Sequence, residues 1–408
     1  MKPTASSRQY DLVLYGATGF VGRQTVAYLA HHPQVKSLGL KWALAGRSAS
    51  KLQAVRQACG AARAGVLVAQ AHDANAIDEL ARSAAVVLST AGPFALYGSE
   101  LVSACVRHGT HYVDITGETP WVKGLIARHH ARAMETGARI IPFCGFDSVP
   151  SDISALLANQ TMWARHGEKC ARVTAAFSIR GGFNGGTLAS MFNLMATGQA
   201  REVADPFLLN PPGTRATDTA AQRDPAFPVH DEDFKAWLGP FFMAPINTRV
   251  VRRTAALLGY ADGFRYQEYL RLGRGPAAAL AAGALSAGSM VGQAAMKLAP
   301  LRKLAQALAP GPGEGPSEAS MDGGSFSCQW VGHSAGGHTV RGMVADQGDP
   351  GNRATTKMVC ESALALVWQR DELPGGPGHG GLLTPASGLG DVLVQRLRAA
   401  GMTLQVDP

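Results

Sequence analysis

A glycine-rich segment near the amino terminus has the spacing of a dinucleotide-binding turn. Three glycines recur at every third position from residue 16 to residue 22, directly after an apolar run and before a helical pattern. In such turns the first glycine permits the tight bend, the second lets backbone N–H groups approach a pyrophosphate, and the third allows close helix packing. A purely structural glycine turn is the alternative. The residues assigned to this cofactor turn are Gly16, Ala17, Thr18, Gly19, Phe20, Val21 and Gly22.

The end of the second predicted strand distinguishes between the two nicotinamide cofactors. A site that prefers NAD(H) places Asp or Glu there to bind the ribose 2′-hydroxyl. This chain has Arg47 and Ser48 instead, with no carboxylate beside them. Arg47 can hold a 2′-phosphate, and Ser48 can donate a hydrogen bond to it. The sequence therefore predicts a preference for NADP(H) over NAD(H), against the alternative of an ordinary solvated arginine.

Further candidates follow the later strands, whose carboxyl ends should meet at the cofactor crevice. After the fourth strand, Ala91, Gly92 and Pro93 form a small turn, and we expect the nicotinamide ribose to lie against its backbone. The fifth strand brings Asp114 and Glu118 toward the same crevice. A plain strand-to-loop turn is the alternative for residues 91–93.

Three side chains are candidates for catalysis or substrate contact. Tyr97 lies in the loop after the fourth strand, and Asp147 and Ser148 follow the sixth. Ser151 and Asp152 come next, and the capping of a helix explains them at least as well as catalysis. No histidine or cysteine set has metal-ligand spacing, and the six cysteines include no C-x-x-C pair. We therefore predict no metal site, and free thiols in a reducing, cytoplasmic compartment.

The pattern of strands and helices that must position these residues changes near residue 150. Before it, short apolar runs alternate with helical stretches, which predicts a doubly wound parallel sheet of the Rossmann type. After it, the strands are longer, and residues 201–246 have the composition of an extended insertion loop. We therefore predict an NADP-binding domain over residues 1–150 and a second, substrate or dimerisation domain over residues 151–370.

The composition excludes several classes of protein. With 46% hydrophobic and 17% charged residues in 408, the chain is not intrinsically disordered. The net charge is +8, but no dense Lys/Arg run occurs, and aromatic residues are only 7%, so no stacking platform for bases is visible. We therefore expect no nucleic-acid partner. The polar first ten residues have no apolar core of the kind that a signal peptide needs.

One apolar segment raises the question of a membrane. No charged residue occurs between positions 276 and 296, and we predict an apolar helix over residues 276–308. A buried helix, an interfacial membrane helix and a spanning helix all fit the length. Alanine and glycine dominate it, and alanine contributes far less to insertion than leucine or isoleucine. We therefore expect a soluble or peripherally attached protein, with any membrane contact made through residues 276–303.

Taken together, these motifs resemble the saccharopine dehydrogenase-like oxidoreductases, in the branch that includes the trans-acting enoyl reductases. The resemblance implies an N-terminal Rossmann domain, a second α/β (α+β) domain, and a C-terminal segment, residues 371–408, that packs back on the Rossmann domain. It also implies a nicotinamide cofactor, but neither saccharopine as substrate nor a particular catalytic residue. The matching segments are residues 15–22, 45–47, 91–94, 112–114, 117–118, 145–152, 184–190, 311–313 and 383–386.

Two functional hypotheses follow. The first is an NADP(H)-dependent oxidoreductase of a small-molecule or acyl substrate, such as an enoyl reductase acting on an acyl or lipid-linked chain. The cofactor would carry the chemistry, while the protein orients it and supplies an acid. The alternative is a membrane-surface protein that binds NADP(H) without turnover. A homodimer is a further hypothesis, which the sequence alone does not test.

Overall fold

Two seven-stranded sheets organise the chain. A computed structural model describes residues 8–182, 185, 190, 200–214, 218–296, 298, 300–301, 311 and 313–408. Within this part of the chain, one sheet is a parallel Rossmann sheet and the other is a mixed sheet, and helices pack on both. The predicted fold class, a doubly wound parallel sheet with a second α/β (α+β) domain, is confirmed.

The first sheet is parallel throughout. Its strands are β1 (Tyr10–Tyr15), β2 (Trp42–Gly46), β3 (Gly65–Val68), β4 (Ala84–Ser89), β5 (His111–Asp114), β6 (Arg139–Ile141) and β13 (Gly381–Leu382). Their spatial order is β13-β6-β5-β4-β1-β2-β3. The chain runs outward from β1 in one direction and, after β3, outward from β4 in the other. The strand order therefore reverses between β1 and β4, which is where open α/β sheets bind their ligands.

Helices cover both faces of this sheet because successive side chains of its strands point to opposite sides. Leu12 and Leu14 of β1 belong to one apolar cluster, and Val13 and Tyr15 belong to the other. The helices of this half are α1 (Phe20–His31), α2 (Pro33–Ser37), α3 (Ala49–Ala58), α4 (Ala74–Ser83), α5 (Phe94–Tyr97), α6 (Ser99–His108) and α7 (Thr119–Thr136).

The second sheet is mostly antiparallel. Its strands are β7 (Cys170–Arg180), β8 (Val229–Asp231), β9 (Ala236–Pro240), β10 (Arg265–Gly273), β11 (Ser325–Ser334), β12 (Thr339–Gln347) and β14 (Thr403–Val406). Their order is β14-β12-β11-β7-β10-β9-β8, and only the β7–β10 pair is parallel. The remaining helices are α8 (Val149–His166), α9 (Ala200–Val203), α10 (Ala244–Leu258), α11 (Gly275–Met296), α12 (Glu318–Asp322), α13 (Thr355–Trp368) and α14 (Pro385–Ala399).

The segment expected to be an insertion loop, residues 201–246, contains regular structure. It holds the strands β8 and β9 and a short 3-10 turn at Ala220–Gln222, and α10 begins within it. Strands of three to five residues leave too short a pattern for periodicity to reveal. They form here because β9 pairs with β10, which lies far along the chain.

The C-terminal part of the chain contributes to both sheets. β13 pairs with β6 in the first sheet, whereas β14 pairs with β12 in the second. α13 packs against β4 and β5, although it lies in the segment assigned by sequence to the second domain. The domain boundaries at residues 150 and 370 stay a prediction, because these late elements connect the two sheets.

The apolar helix predicted over residues 276–308 begins as α11 and packs on β9 and β10. Residues 297, 299 and 302–310, which the predictions for this helix and for membrane contact include, lie outside the described residues. Ala278, Ala282 and Ser286 are buried on its packed side. Among the described helices, none has both the length and the apolar character needed to cross a membrane.

Candidate functional site

The turn between β1 and α1 is closed by two glycines that pack against backbone. Gly16 has a φ of +88° and donates its N–H to the carbonyl oxygen of Ala45, at 3.0 Å. A Cβ at Gly16 would lie 2.7 Å from the nitrogen of Ala91, and a Cβ at Gly22 would lie 2.2 Å from the Gly16 carbonyl oxygen. Both positions therefore need glycine for the fold itself.

Gly19 differs from these two glycines. It is the N-cap of α1, with φ −69° and ψ 173°, which any residue can adopt. The nearest atom to a Cβ there would be the Gly16 carbonyl oxygen, at 3.3 Å, and no side chain caps the helix. The first N–H groups of α1 therefore remain available to an anion, and the space at Gly19 suits a phosphate that approaches the backbone closely.

The other residues of the turn are held by a neighbouring segment that the sequence analysis did not place here. Ala17 and Val21 are buried, whereas Thr18 and Phe20 are half-buried. Arg23 donates to the carbonyl oxygens of Thr18 and Gly313, at 3.0 Å each. A Cβ at Gly315 would lie 2.6 Å from the Phe20 ring. Residues 313–315 therefore lie against the start of α1.

The end of β2 presents a cation without an acidic partner. Arg47 is exposed and makes no hydrogen bond or ion pair with the described residues. Burial raises the pKa of the nearby Tyr15 hydroxyl, and the positive charge of Arg47 opposes that rise. Ser48 is the N-cap of α3 and accepts a hydrogen bond from the Lys51 N–H, at 3.4 Å. With the open N-terminus of α1, this arrangement fits a dinucleotide that carries a 2′-phosphate.

The turn after β4 lies directly beside the glycine-rich turn. Thr90 donates its N–H to the carbonyl oxygen of Tyr15 and its hydroxyl to that of Gly16. Ala91, Gly92 and Pro93 are half-buried, and the Gly92–Pro93 peptide is cis. The structure therefore brings these three residues together with the turn at residues 16–22, as the crevice geometry predicts.

Glu118 fixes this turn to the end of β5, a role that the sequence did not reveal. Its carboxylate is buried and accepts hydrogen bonds from the N–H groups of Phe94 and Ala95, at 2.8 and 2.9 Å. It also accepts one from the Ser190 hydroxyl, at 2.8 Å. Glu118 therefore caps α5 and joins it to Ser190, which follows β7 in the chain.

Asp114 has a comparable positioning role. It is fully buried and accepts hydrogen bonds from the Tyr112 hydroxyl and from the N–H groups of Thr116 and Phe143. Burial raises its pKa to about 7, and these hydrogen bonds act against the rise. The contacts tie the end of β5 to the end of β6.

Asp147 follows the carboxyl end of β6. Its carboxyl group makes no hydrogen bond with the described residues. It is half-buried, and a Cβ on Gly117 would lie 3.4 Å from its Oδ2. Burial raises its pKa to about 7. An aspartate of this kind is partly protonated near neutral pH and can donate a proton to a ligand in the crevice.

Ser148 points into a buried network rather than toward Asp147. Its hydroxyl donates to Asn247 Oδ1 at 3.1 Å, and Asn247 Nδ2 donates to Glu268 at 2.8 Å. Ser151 also donates to Glu268, at 2.7 Å. Burial raises the pKa of Glu268 to about 7. This network ties the start of α8 to α10 and β10.

Asp152 connects α8 to the C-terminal segment. Its carboxylate accepts hydrogen bonds from the Thr254 hydroxyl and from the N–H of Ala386, the latter at 2.8 Å. Thr384, the N-cap of α14, lies in the same cluster. Burial raises the pKa of Asp152 to about 7. Asp152 therefore caps a helix, but it is α14 rather than its own.

Tyr97 is not brought to Asp147. Its ring is 38% exposed and lies edge-on to His72, with 6.1 Å between ring centroids. His72 follows β3, the edge strand, and β2, β1 and β4 separate β3 from β5. Tyr97 therefore lies on the β3 side of the parallel sheet, whereas Asp147, beside Gly117, lies on the β5 side.

No group of three or more His, Cys, Asp or Glu side chains in the described ranges could hold a metal ion. Each of the six cysteines is a free thiol, and five of them are buried. Burial raises the pKa of these five thiols, the one at Cys170 to about 12. The buried thiols therefore stay protonated at neutral pH.

Comparison with known proteins matches both halves of the chain. Residues 12–141 match the family described as the saccharopine dehydrogenase NADP binding domain. A Mycobacterium tuberculosis protein, provisionally named a trans-acting enoyl reductase, is 38% identical over 98% of each chain. A trans-acting enoyl reductase of Mycobacterium bovis is 36% identical, again over 98% of each chain.

Among solved structures, the apo saccharopine dehydrogenase (L-Glu forming) of Saccharomyces cerevisiae is similar in fold. The TM-score is 0.54 at 13% sequence identity, and the match covers 98% of this chain and 99% of that one. At this level of identity the likeness concerns the fold alone. It shows that the two-sheet arrangement exists as a whole in an experimentally determined protein.

Proposed function

The chain belongs to the trans-acting enoyl reductase family of saccharopine dehydrogenase-like proteins, and from that premise we propose that it reduces an enoyl group on an acyl or lipid-linked substrate with NADPH. The predicted resemblance is thereby confirmed, and the protein is an NADP-dependent oxidoreductase. The observation that carries the narrower proposal is the 38% identity to a relative of that name over 98% of both chains. This match includes the part of the chain that lies beyond the cofactor-binding domain.

The preference for NADP(H) over NAD(H) is part of the proposal. Arg47 and Ser48 would bind the 2′-phosphate, and the N–H groups that follow Gly19 would bind the pyrophosphate. Residues 91–93 would support the ribose on the nicotinamide side. When bound, the nicotinamide supplies a hydride to the β-carbon of the enoyl group.

We assign the proton donor to Asp147. Reduction of the double bond needs one proton at the α-carbon for each hydride at the β-carbon, and solvent then returns a proton to the carboxylate. Asp147 suits this step because its carboxyl group lies beside Gly117, which follows β5, has no competing partner among the described residues, and has a raised pKa. A general acid works best when its pKa is close to the working pH.

The other two candidates receive different roles. Ser148 is a positioning residue in this proposal, because its hydroxyl holds Asn247 while its backbone adjoins Asp147. Tyr97, on the β3 side, would contact the cofactor or substrate at the entrance of the crevice. In this proposal neither side chain delivers the proton to the α-carbon.

The test is turnover by the purified protein with NADPH. The nicotinamide absorbance should fall when the protein and NADPH are mixed with a 2-enoyl thioester of pantetheine, but not when they are mixed with a ketone or an imine. Mass spectrometry should then show the saturated thioester. With NADPH deuterated at the transferred position, the deuterium should appear at the β-carbon. Turnover of imines or ketones alone would contradict the proposal, as would NADPH binding with no turnover on any enoyl chain length.

A further inference from the structure

The outer side of α11 is apolar and is not covered by the described part of the chain. Leu280 is 76% exposed, Met290 55% and Val291 68%. Residues 280, 287 and 291 are spaced by seven and four, and therefore lie on one side of the helix. The opposite side, with Ala278 and Ala282, is buried on the second sheet. A helix that is apolar on both sides but packed on only one leaves an apolar face exposed to solvent, and such a face is typical of an interaction site.

The charged residues in the sequence on either side of this helix have one sign. No Asp or Glu occurs between Glu268 and Glu314, and that interval contains five basic residues. Arg271 and Arg274 precede the helix, and Arg274 is exposed. In the sequence, Lys297, Arg302 and Lys303 follow it, although the structure does not describe those three. A helix with an exposed apolar face and a flanking sequence that is basic on both sides is complementary to an anionic surface that has an apolar interior.

The chemistry of the face favours a lipid surface over a protein partner. Interfaces between proteins are enriched in aromatic and arginine side chains that anchor in pockets. Residues 276–296 contain neither kind, and the exposed positions among the described side chains of α11 carry Ala, Gly, Leu, Met, Pro and Val. Such side chains offer apolar area without specific shape or hydrogen bonds, which is what insertion between lipid headgroups requires.

We propose that α11 is a membrane-docking helix for bilayers that contain anionic lipids. The 22-residue helix, about 33 Å long, lies parallel to the bilayer with Leu280 and Val291 among the headgroups. The second sheet takes the place of the polar side that an isolated interfacial helix needs. This docking is independent of the proposed reduction, and it would hold the crevice close to substrates that partition into lipid.

The test is cosedimentation of the full chain with vesicles, in the absence of cofactor and substrate. We expect binding to vesicles of phosphatidylglycerol and phosphatidylcholine, about tenfold weaker binding to phosphatidylcholine alone, and release at high ionic strength. The double variant Leu280→Glu, Val291→Glu should lose binding by about tenfold or more, because charged side chains do not insert. Leu38→Glu, Val68→Glu is the matched control, since both residues are 53% exposed on the other half of the protein.

Circular dichroism and thermal melting establish that both double variants are folded. Unchanged vesicle binding by the α11 variant would overturn the proposal, and so would absence of binding to phosphatidylglycerol vesicles. If light scattering shows a dimer that the α11 variant dissociates, with no vesicle binding by either form, the face binds a second copy. If the wild type binds an acidic acyl carrier protein through this face instead of vesicles, the proposal is equally wrong.

Discussion

The carbonyl oxygen of Gly16 lies 2.2 Å from the point that a Cβ on Gly22 would occupy. This contact locks the start of α1 against the end of β1, so the third glycine of the turn serves the fold. At Gly19 the nearest such contact is 3.3 Å, and the side of the turn that faces the crevice is open. Two glycines in one motif therefore have separable roles.

Substitution at these two glycines should have opposite effects. Gly22→Ala should lower the free energy of unfolding by about 2 kcal/mol or more, because the clash is with backbone that cannot rotate away. Gly19→Ser should leave stability close to that of the wild type, because serine is a good N-cap. It should nevertheless weaken NADPH binding by about tenfold or more, or about 1.4 kcal/mol. Urea unfolding and calorimetric titration measure the two quantities, and full NADPH affinity in Gly19→Ser would show that the turn is only structural.

Arg47 should determine the choice of cofactor. We expect the wild type to bind NADPH at least about tenfold more tightly than NADH. Arg47→Glu should remove or reverse that ratio, because a carboxylate repels a 2′-phosphate but can accept a hydrogen bond from a 2′-hydroxyl. Arg63→Glu is the control for net charge, since Arg63 is also exposed. Equal affinities of the wild type for both cofactors would refute this prediction.

Asp147 should give the reduction a characteristic pH dependence. Because the donor must be protonated, kcat should fall as the pH rises through about 7, the value to which burial raises the pKa of this carboxyl group. Asp147→Asn should lower kcat by about a hundredfold or more, abolish that fall, and leave NADPH affinity unchanged. Asp147→Glu should recover part of the rate. An identical pH profile in the Asn variant would assign the proton to another group.

Glu268 should make stability depend on pH in a definite direction. Burial raises its pKa from 4.5 to about 7, so the folded state binds its proton more tightly than the unfolded state does. This contribution is complete below the unfolded pKa and is lost as pH rises through the folded pKa. The free energy of unfolding should therefore fall between about pH 5 and pH 8, and Glu268→Gln should make that fall smaller by about 1–3 kcal/mol. Urea unfolding at both pH values is the measurement, and a variant that follows the wild-type slope would argue against it.

The parts of the fold that follow from local pattern were predictable from the sequence. β1, β4 and β5 lie where the alternation of short apolar runs with helical stretches before residue 150 predicts strands. Buried parallel strands are continuous apolar runs, which a sequence displays directly. β13 has only two residues, and β9 forms through pairing with a distant strand. Such elements depend on partners that no local window contains.

The candidate site likewise has some parts that the local sequence predicts and others that depend on distant partners. The glycine spacing and the cation at Arg47 are local signals, and the structure places them as the crevice geometry requires. Glu118 and Asp152 act on backbone N–H groups 23 to 24 and 234 residues away in the chain. Glu118 meets its partners only when β4 and β5 have paired, and Asp152 meets its partner only when the C-terminal segment has packed on α8. Sequence spacing could mark these carboxylates as candidates, but not distinguish a positioning group from a proton donor.

The distribution of β13 and β14 has a consequence for folding during synthesis. The edge of β6 remains open until β13 has been synthesised, and the edge of β12 remains open until β14 has. Successive domains of a chain usually fold one after another as they are synthesised. Here the sheet of the nucleotide-binding half is complete only after the C-terminal segment has been synthesised. Exposed strand edges are templates for pairing with other chains. A ribosome-bound intermediate with residues up to 370 outside the exit tunnel would have both edges unprotected, which makes it the form of this protein that most needs a chaperone.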